Sequence, residues 1–181
     1  MDINYKKEDN DIKIKGDTEG FYSLSYKEDA DLLSNIIKEK FGDVKILDGT
    51  AGIGGNSISF GLHFTNLISI EINKERFKYL ESNLEMFQIK SKLINDDVLN
   101  HLNEDYDLVF FDPPWGGPNY KLEKLLSLKL GNIKLKDLTK QLKEMNKTIV
   151  FKLPFNYNLL EFSEYNYEIH NIKNYLIIII S

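Results

Sequence analysis

The feature that most constrains this chain is a regular alternation of short apolar runs with segments of helical spacing. Residues 44–48, 67–71, 92–95, 107–112 and 148–153 are each too short and too apolar for a surface helix and read as buried strands. Between them lie periodic segments at 56–63, 74–87 and 134–145, preceded by one at 27–41 in which Leu32, Leu33, Ile36 and Ile37 recur at helical spacing before Gly42 stops the pattern. Strands that alternate with helices predict a mostly parallel sheet covered on both faces. The end of the chain breaks the rhythm. Residues 167–170 and 175–180 are separated only by 171–174, a gap that fits a hairpin and not a helical crossover. The expected fold is therefore α/β, with a mixed seven-stranded sheet, its last strand antiparallel, and helices on both faces.

At 181 residues the chain suits one domain. Residues 1–18 are charged, polar and poor in apolar side chains, and are expected to form a flexible arm. Glu19-Gly20-Phe21-Tyr22-Ser23-Leu24 marks entry into packed structure, so the domain is expected to occupy 19–181. The absence of cysteine removes disulfides, thiolate metal sites and thiol nucleophiles from consideration. The N-terminus lacks the apolar core of a secretory signal, and the apolar run 175–181 is far shorter than the roughly 20 residues that span a bilayer. An intracellular protein, cytoplasmic or nuclear and without a membrane, is the expectation. A net charge of −5 argues against gripping long nucleic acid through its phosphates, and leaves a small or terminal nucleic-acid target open. His63, His101 and His170 are scattered without ligand spacing, so no metal is expected.

Chemistry gathers at the ends of the strands. The segment from Val44 to Asn56 is a strand that runs into the glycine-rich turn Asp48-Gly49-Thr50-Ala51-Gly52-Ile53-Gly54-Gly55 and opens a helix. Glycines let backbone approach a ligand closely, and a helix N-terminus offers N–H donors. The turn is not the dinucleotide pattern, since Ser57 stands where a third glycine would be. The next strand ends in Glu71, about 20 residues on, where a carboxylate can accept from both hydroxyls of a ribose. Asp96 or Asp97 closes the strand after that and could accept from an adenine amino group. Three successive strand ends bearing acids point to one bound nucleoside.

After the strand at 107–112 comes Asp112-Pro113-Pro114-Trp115-Gly116-Gly117-Pro118-Asn119-Tyr120, which holds three of the four prolines and the sole tryptophan. Consecutive prolines fix torsions and leave carbonyl acceptors without competing donors. Beside a carboxylate and a large aromatic face, they suit a planar base with an amino group. Asp112 and the Pro113 carbonyl would hold the amine N–H groups and direct the nitrogen lone pair at a sulfonium methyl, Asp112 could take the surplus proton, and Trp115 would stack on the base.

These residues resemble the Rossmann-like class I methyltransferases that use S-adenosylmethionine, and within them the trimethylguanosine synthases, which methylate the exocyclic N2 of 7-methylguanosine caps. The likeness rests on the glycine turn, on Glu19 to Ser23, on Gly54-Gly55-Asn56, on Asn83-Leu84-Glu85, and above all on the extended run from Pro113 to Tyr120, and it covers about residues 19–181. It implies an S-adenosylmethionine site at Asp48, Thr50, Ala51, Gly52, Gly54, Asn56, Glu71, Asp97 and Asp112. It further implies Asp112, Pro113 and Trp115 as the catalytic group, Trp115 stacked on the methylated guanine, Asn83 near that base's edge and Tyr120 toward the cap phosphates. The implied substrate is 7-methylguanosine-capped RNA or a cap analogue.

Three departures accompany the likeness. Asp112 stands where cap synthases commonly carry Ser, Phe155 follows Leu153-Pro154 where a basic residue is usual, and the N-terminal segment is too short for the helical lobe that precedes the domain, a lobe that a protein partner would then replace. Two other readings follow: an amino-methyltransferase for adenine N6 or an internal guanine N2, and a cap binder without turnover.

Overall fold

The computed structural model describes residues 4–7 and 10–181. In chain order these form strands β1 (Asn4–Lys7) and β2 (Asn10–Lys13), helices α1 (Thr18–Ser23) and α2 (Lys27–Phe41), β3 (Ile46–Asp48), α3 (Gly55–His63), β4 (Leu67–Ile70), α4 (Lys74–Met86), β5 (Lys92–Ile94), β6 (Leu108–Phe111), β7 (Lys129–Leu130), β8 (Ile133–Lys134), α5 (Leu135–Glu144), β9 (Thr148–Pro154), β10 (Tyr167–Ile172) and β11 (Tyr175–Ile180). The main sheet has seven strands in the order β10-β11-β9-β6-β3-β4-β5. The chain divides into two compact units, one ending at Tyr106 and the other beginning at Asp107.

In the first unit β3, β4 and β5 pair in parallel, with Ile46 opposite Leu67 and Ile68 opposite Lys92. The helices between them are placed by local signals. Helix α2 carries Glu28 and Asp29 in its first turn and Lys38 and Lys40 in its last, which complements the helix dipole, and it ends at Gly42, whose φ of 75° lets its N–H close on the Lys38 carbonyl. Asn73 caps α4 by accepting from the N–H groups of Glu75 and Arg76 at 2.9 and 3.1 Å. Ile14, Leu24, Ala51, Ile53, Ile58, Leu80, Leu84 and Phe87 form one buried cluster. The segment expected to be a flexible arm is thus packed from Ile14 onward, and α1 starts at Thr18. Residues 4–7 and 10–13 form an antiparallel pair, while the rest of that arm, 1–3 and 8–9, lies outside the described residues.

In the second unit β6 and β9 are parallel, whereas β11 runs antiparallel to both β9 and β10. The hairpin expected at the end of the chain is present, and its turn is shorter than the spacing suggests: Lys173-Asn174 alone joins the strands, with Lys173 at a φ of 45°. Neighbours on both sides explain why β11 is almost uniformly apolar, since both of its faces are buried. Helix α5 buries Leu135, Leu138, Thr139 and Leu142, a stripe at helical spacing. Phe111, Phe151, Phe162 and Tyr157 stack in succession, with ring centroids 5.7, 5.4 and 5.4 Å apart, and form the aromatic centre of this unit. Among the described residues no helix is long and apolar enough to cross a membrane.

Candidate functional site

The glycine turn of the first unit is held from three sides. Asp48 is fully buried, and its carboxylate accepts from the Ser57 hydroxyl at 2.6 Å and, at a longer 3.4 Å, from the Thr50 N–H. Ser57, Ser69 and Ser91 continue this contact as a run of hydroxyls across β4, at 2.9 and 3.0 Å. The Ala51 N–H donates to the Ile70 carbonyl at 2.9 Å and ties the turn to β4. Gly52 and Gly54 adopt φ of 57° and 105°, conformations that favour glycine, and α3 begins without a side-chain cap.

The second side is Glu71, just beyond β4. Its carboxylate accepts from the Gly52 N–H and the Asn73 N–H, both at 2.8 Å. An ionised carboxylate has about four acceptor positions, so these two bonds fix its orientation and leave it able to accept from ribose hydroxyls. Asn95 anchors the next strand end by donating to the Glu71 carbonyl at 2.7 Å. Asp97 accepts from the Leu99 N–H at 3.0 Å, and the neighbouring Asp96 pairs with His101 at 2.9 Å. The His101 hydrogen bond is the main reason the Asp96 carboxyl is held below the usual carboxylate range.

The third side is the segment around α1. Asp17 caps this helix by accepting from the Gly20 N–H at 2.6 Å, and Arg76 pairs with Glu19 at 3.1 Å. Gly55 has to be glycine for space: a Cβ there would lie 2.7 Å from Leu24 Cδ1 and 2.9 Å from the Ser25 carbonyl oxygen. A Cβ on Gly20 would lie 2.6 Å from Ile53 Cγ2. The Asn56 amide donates to Ser25 Oγ at 3.0 Å. Asn83 donates to the carbonyls of Lys15 and Ile53 at 2.8 and 2.7 Å and accepts from the Lys15 N–H at 2.9 Å. Gly20, Leu24 and Ser25 therefore pack against the glycine turn.

In the second unit Asp112 follows β6, and its Oδ2 lies 2.7 Å from Nζ of Lys152 on β9. Burial pushes the Asp112 carboxyl above the usual carboxylate range, and the Lys152 ammonium pulls it back. That ammonium sits 4.9 Å from the centroid of Tyr175 on β11 and 6.0 Å from that of Trp115. Pro113 is buried and Trp115 half-buried. The Trp115 Nε1–H reaches toward the Lys152 carbonyl at 3.4 Å, and Tyr120 meets the indole edge-on with centroids 5.2 Å apart. Asn156 donates to the carbonyls of Tyr120 and Glu123, both at 2.8 Å, and so fixes the far end of the loop. Gly116 and Gly117, at φ of 90° and 69°, let the chain reverse directly after the tryptophan.

Residues 44–180 match the family described as RNA cap guanine-N2 methyltransferase. The chain belongs to that family. It is 31% identical over 173 residues to the trimethylguanosine synthase of Schizosaccharomyces pombe, covering 88% of this chain and 72% of the relative. It is 35% identical over 139 residues to an uncharacterized protein of Acanthamoeba polyphaga mimivirus, covering 73% of this chain and 52% of that one. The chain therefore spans about half to three-quarters of the length of these relatives. Among solved structures, a T. thermophilus 16S rRNA N2 guanine methyltransferase, in complex with AdoMet and guanosine, superposes with a TM-score of 0.65 at 12% identity, covering 100% of this chain and 50% of that one. That likeness confirms the class I methyltransferase fold.

Within this family assignment, the residues expected at the cofactor turn, Asp48, Thr50, Ala51, Gly52, Gly54 and Asn56, all fall on one turn with Glu71 bonded to it, and Asp112, Pro113, Trp115 and Tyr120 share one loop. Asn83, expected near the edge of the base, has no exposed surface in this structure, and its two donor bonds and one acceptor bond go to main chain, so it braces the glycine turn. Its sequence signal was its place three residues after Leu80 and one before Leu84, on the apolar face of α4. Asp48 is likewise turned inward and sets the turn from beneath. Sequence reasoning missed Lys152. The available signal was a lone charge inside the buried run Ile149-Val150-Phe151-Lys152-Leu153, which requires a partner.

Proposed function

We propose that this chain transfers a methyl group from S-adenosylmethionine to the exocyclic N2 of a 7-methylguanosine cap. The observation that carries the reading is the loop Asp112 to Tyr120, in which a half-buried indole stands beside an ionisable carboxylate and a buried proline, in a chain that matches the cap guanine-N2 family over 44–180. The glycine turn fits the cofactor: Gly52 and Gly54 hold a left-handed backbone that permits close approach, α3 starts without a side-chain cap, and Glu71 is fixed with acceptor capacity to spare. S-adenosylmethionine held by this turn and Glu71 would supply an electrophilic methyl group on sulfonium, and the proton released from the base nitrogen would pass to Asp112.

The protein's own work is positioning. A base amine is a weak nucleophile because its lone pair is delocalised into the ring. Acceptors at Asp112 and the Pro113 carbonyl hold its N–H groups and concentrate density on nitrogen, while Trp115 fixes the ring plane. A 7-methylated guanine carries positive charge, so stacking on Trp115 gains a cation–π component that an unmethylated base lacks. Asp112 also supports a second reading, transfer to adenine N6 or to an internal guanine N2. The two readings separate in one experiment with labelled cofactor. The cap reading expects label on a 7-methylguanosine cap analogue and strong inhibition by free 7-methylated GTP. Label on uncapped RNA alone, insensitive to that competitor, would replace it with the second.

A further inference from the structure

We propose that Lys152 is a positioning residue for methyl transfer, holding the Asp112 carboxylate ionised and oriented toward the base amine; this rests on the amino-methyltransferase reading above. Lys152 is only 7% exposed and sits between the fully buried Phe151 and Leu153 in β9, where an apolar side chain would pack without any cost of desolvating a charge. What it gains is specific. Nζ is 2.7 Å from Asp112 Oδ2, while its main-chain carbonyl lies 3.4 Å from the Trp115 indole nitrogen. One residue therefore orients both the proposed acceptor, through its side chain, and the proposed stacking ring, through its backbone. The Tyr175 ring lies against the ammonium, with its centroid 4.9 Å from Nζ.

An anionic carboxylate accepts N–H bonds from a base amine at either oxygen; protonation turns one of its acceptor sites into a competing O–H donor. In this unit Asp112, at the end of β6, is faced by Lys152 of β9, with Tyr175 of β11 and Trp115 of the loop against the same ammonium. Burial works against the anion and Lys152 opposes that effect. Removing the ammonium should therefore let Asp112 take up a proton nearer to neutral pH.

The test compares wild type with Lys152→Met and Lys152→Arg by two measurements: carboxyl 13C NMR titration of Asp112, and kcat against pH with a cap analogue. In Lys152→Met the Asp112 midpoint should rise by about one pH unit or more. The acid limb of kcat should move with it, and kcat near neutrality should fall by about tenfold or more, while KM for the cofactor stays near wild type. Lys152→Arg should restore the midpoint and most of the rate. If Lys152→Met fails to fold, Lys152→Gln, which keeps a donor but removes the charge, should shift the midpoint and the rate in the same direction by a smaller amount. An unchanged midpoint and pH profile overturns the proposal, as does a loss equal at every pH that arginine does not rescue. A wild type that titrates as expected but methylates no base overturns the functional reading, and with it any part for Lys152 in transfer.

Discussion

Replacing Asn83 with alanine should damage the glycine turn and leave recognition of the base untouched. The substitution strips partners from three main-chain groups at once: the Ile53 carbonyl at 2.7 Å and the Lys15 carbonyl and N–H at 2.8 and 2.9 Å. Each lost bond costs about 1 kcal/mol net, so the sum is about 3 kcal/mol. For a chain of this length that lowers the midpoint of thermal unfolding by roughly 6 to 12 °C. Ile53 lies inside the turn, so affinity for S-adenosylmethionine should weaken as well. Thermal unfolding by circular dichroism gives the first quantity and calorimetric titration with the cofactor the second. KM for the cap analogue, measured at saturating cofactor, should stay within about twofold of wild type. An Asn83→Ala protein that melts within about 2 °C of wild type and shows a raised KM for the base would refute this role. That result would return Asn83 to the substrate.

Gly55→Ala should lower stability by about 1 to 3 kcal/mol in urea unfolding, because its Cβ would press on the Ser25 carbonyl and Leu24; a neutral result would show that α1 is not held against the turn. Trp115→Ala should weaken base binding by about 1 to 3 kcal/mol, read as KM for the cap analogue; an unaffected KM would place the indole outside the base site. Asp112→Asn should lower kcat much more than it alters cofactor affinity, since it removes a charged acceptor while keeping the shape; unchanged turnover removes Asp112 from the mechanism.

The positions of most of the main strands were legible as short apolar runs bounded by turn residues, β10 by its hairpin spacing from β11, and α2 was legible to the residue because periodicity and a C-terminal glycine agree. Helix α1 was not, since six residues with only Gly20 buried leave no apolar stripe to read; its one signal is the capping Asp17. The small hairpin of β7 and β8 was also missed, although Gly131-Asn132 between Leu130 and Ile133 is a turn signature. The loop from Asp112 to Tyr120 stood out through its prolines and glycines. Its partner Lys152 lies 40 residues away, and only pairing of β6 with β9 brings the two together. Asn83 and Asp48 turn inward, which their sequence positions alone did not reveal. A resemblance marks a residue as belonging to a site, while burial decides whether it meets the ligand or shapes what does.

The most direct test of the central claim is mass spectrometry of nucleosides released from a 7-methylguanosine cap analogue after incubation with the protein and S-adenosylmethionine. The expected product is a 7-methylguanosine one or two methyl groups heavier, with the added groups on N2 and their transfer dependent on the 7-methyl. A product methylated at another atom, or transfer that proceeds equally well on guanosine lacking the 7-methyl group, would contradict it.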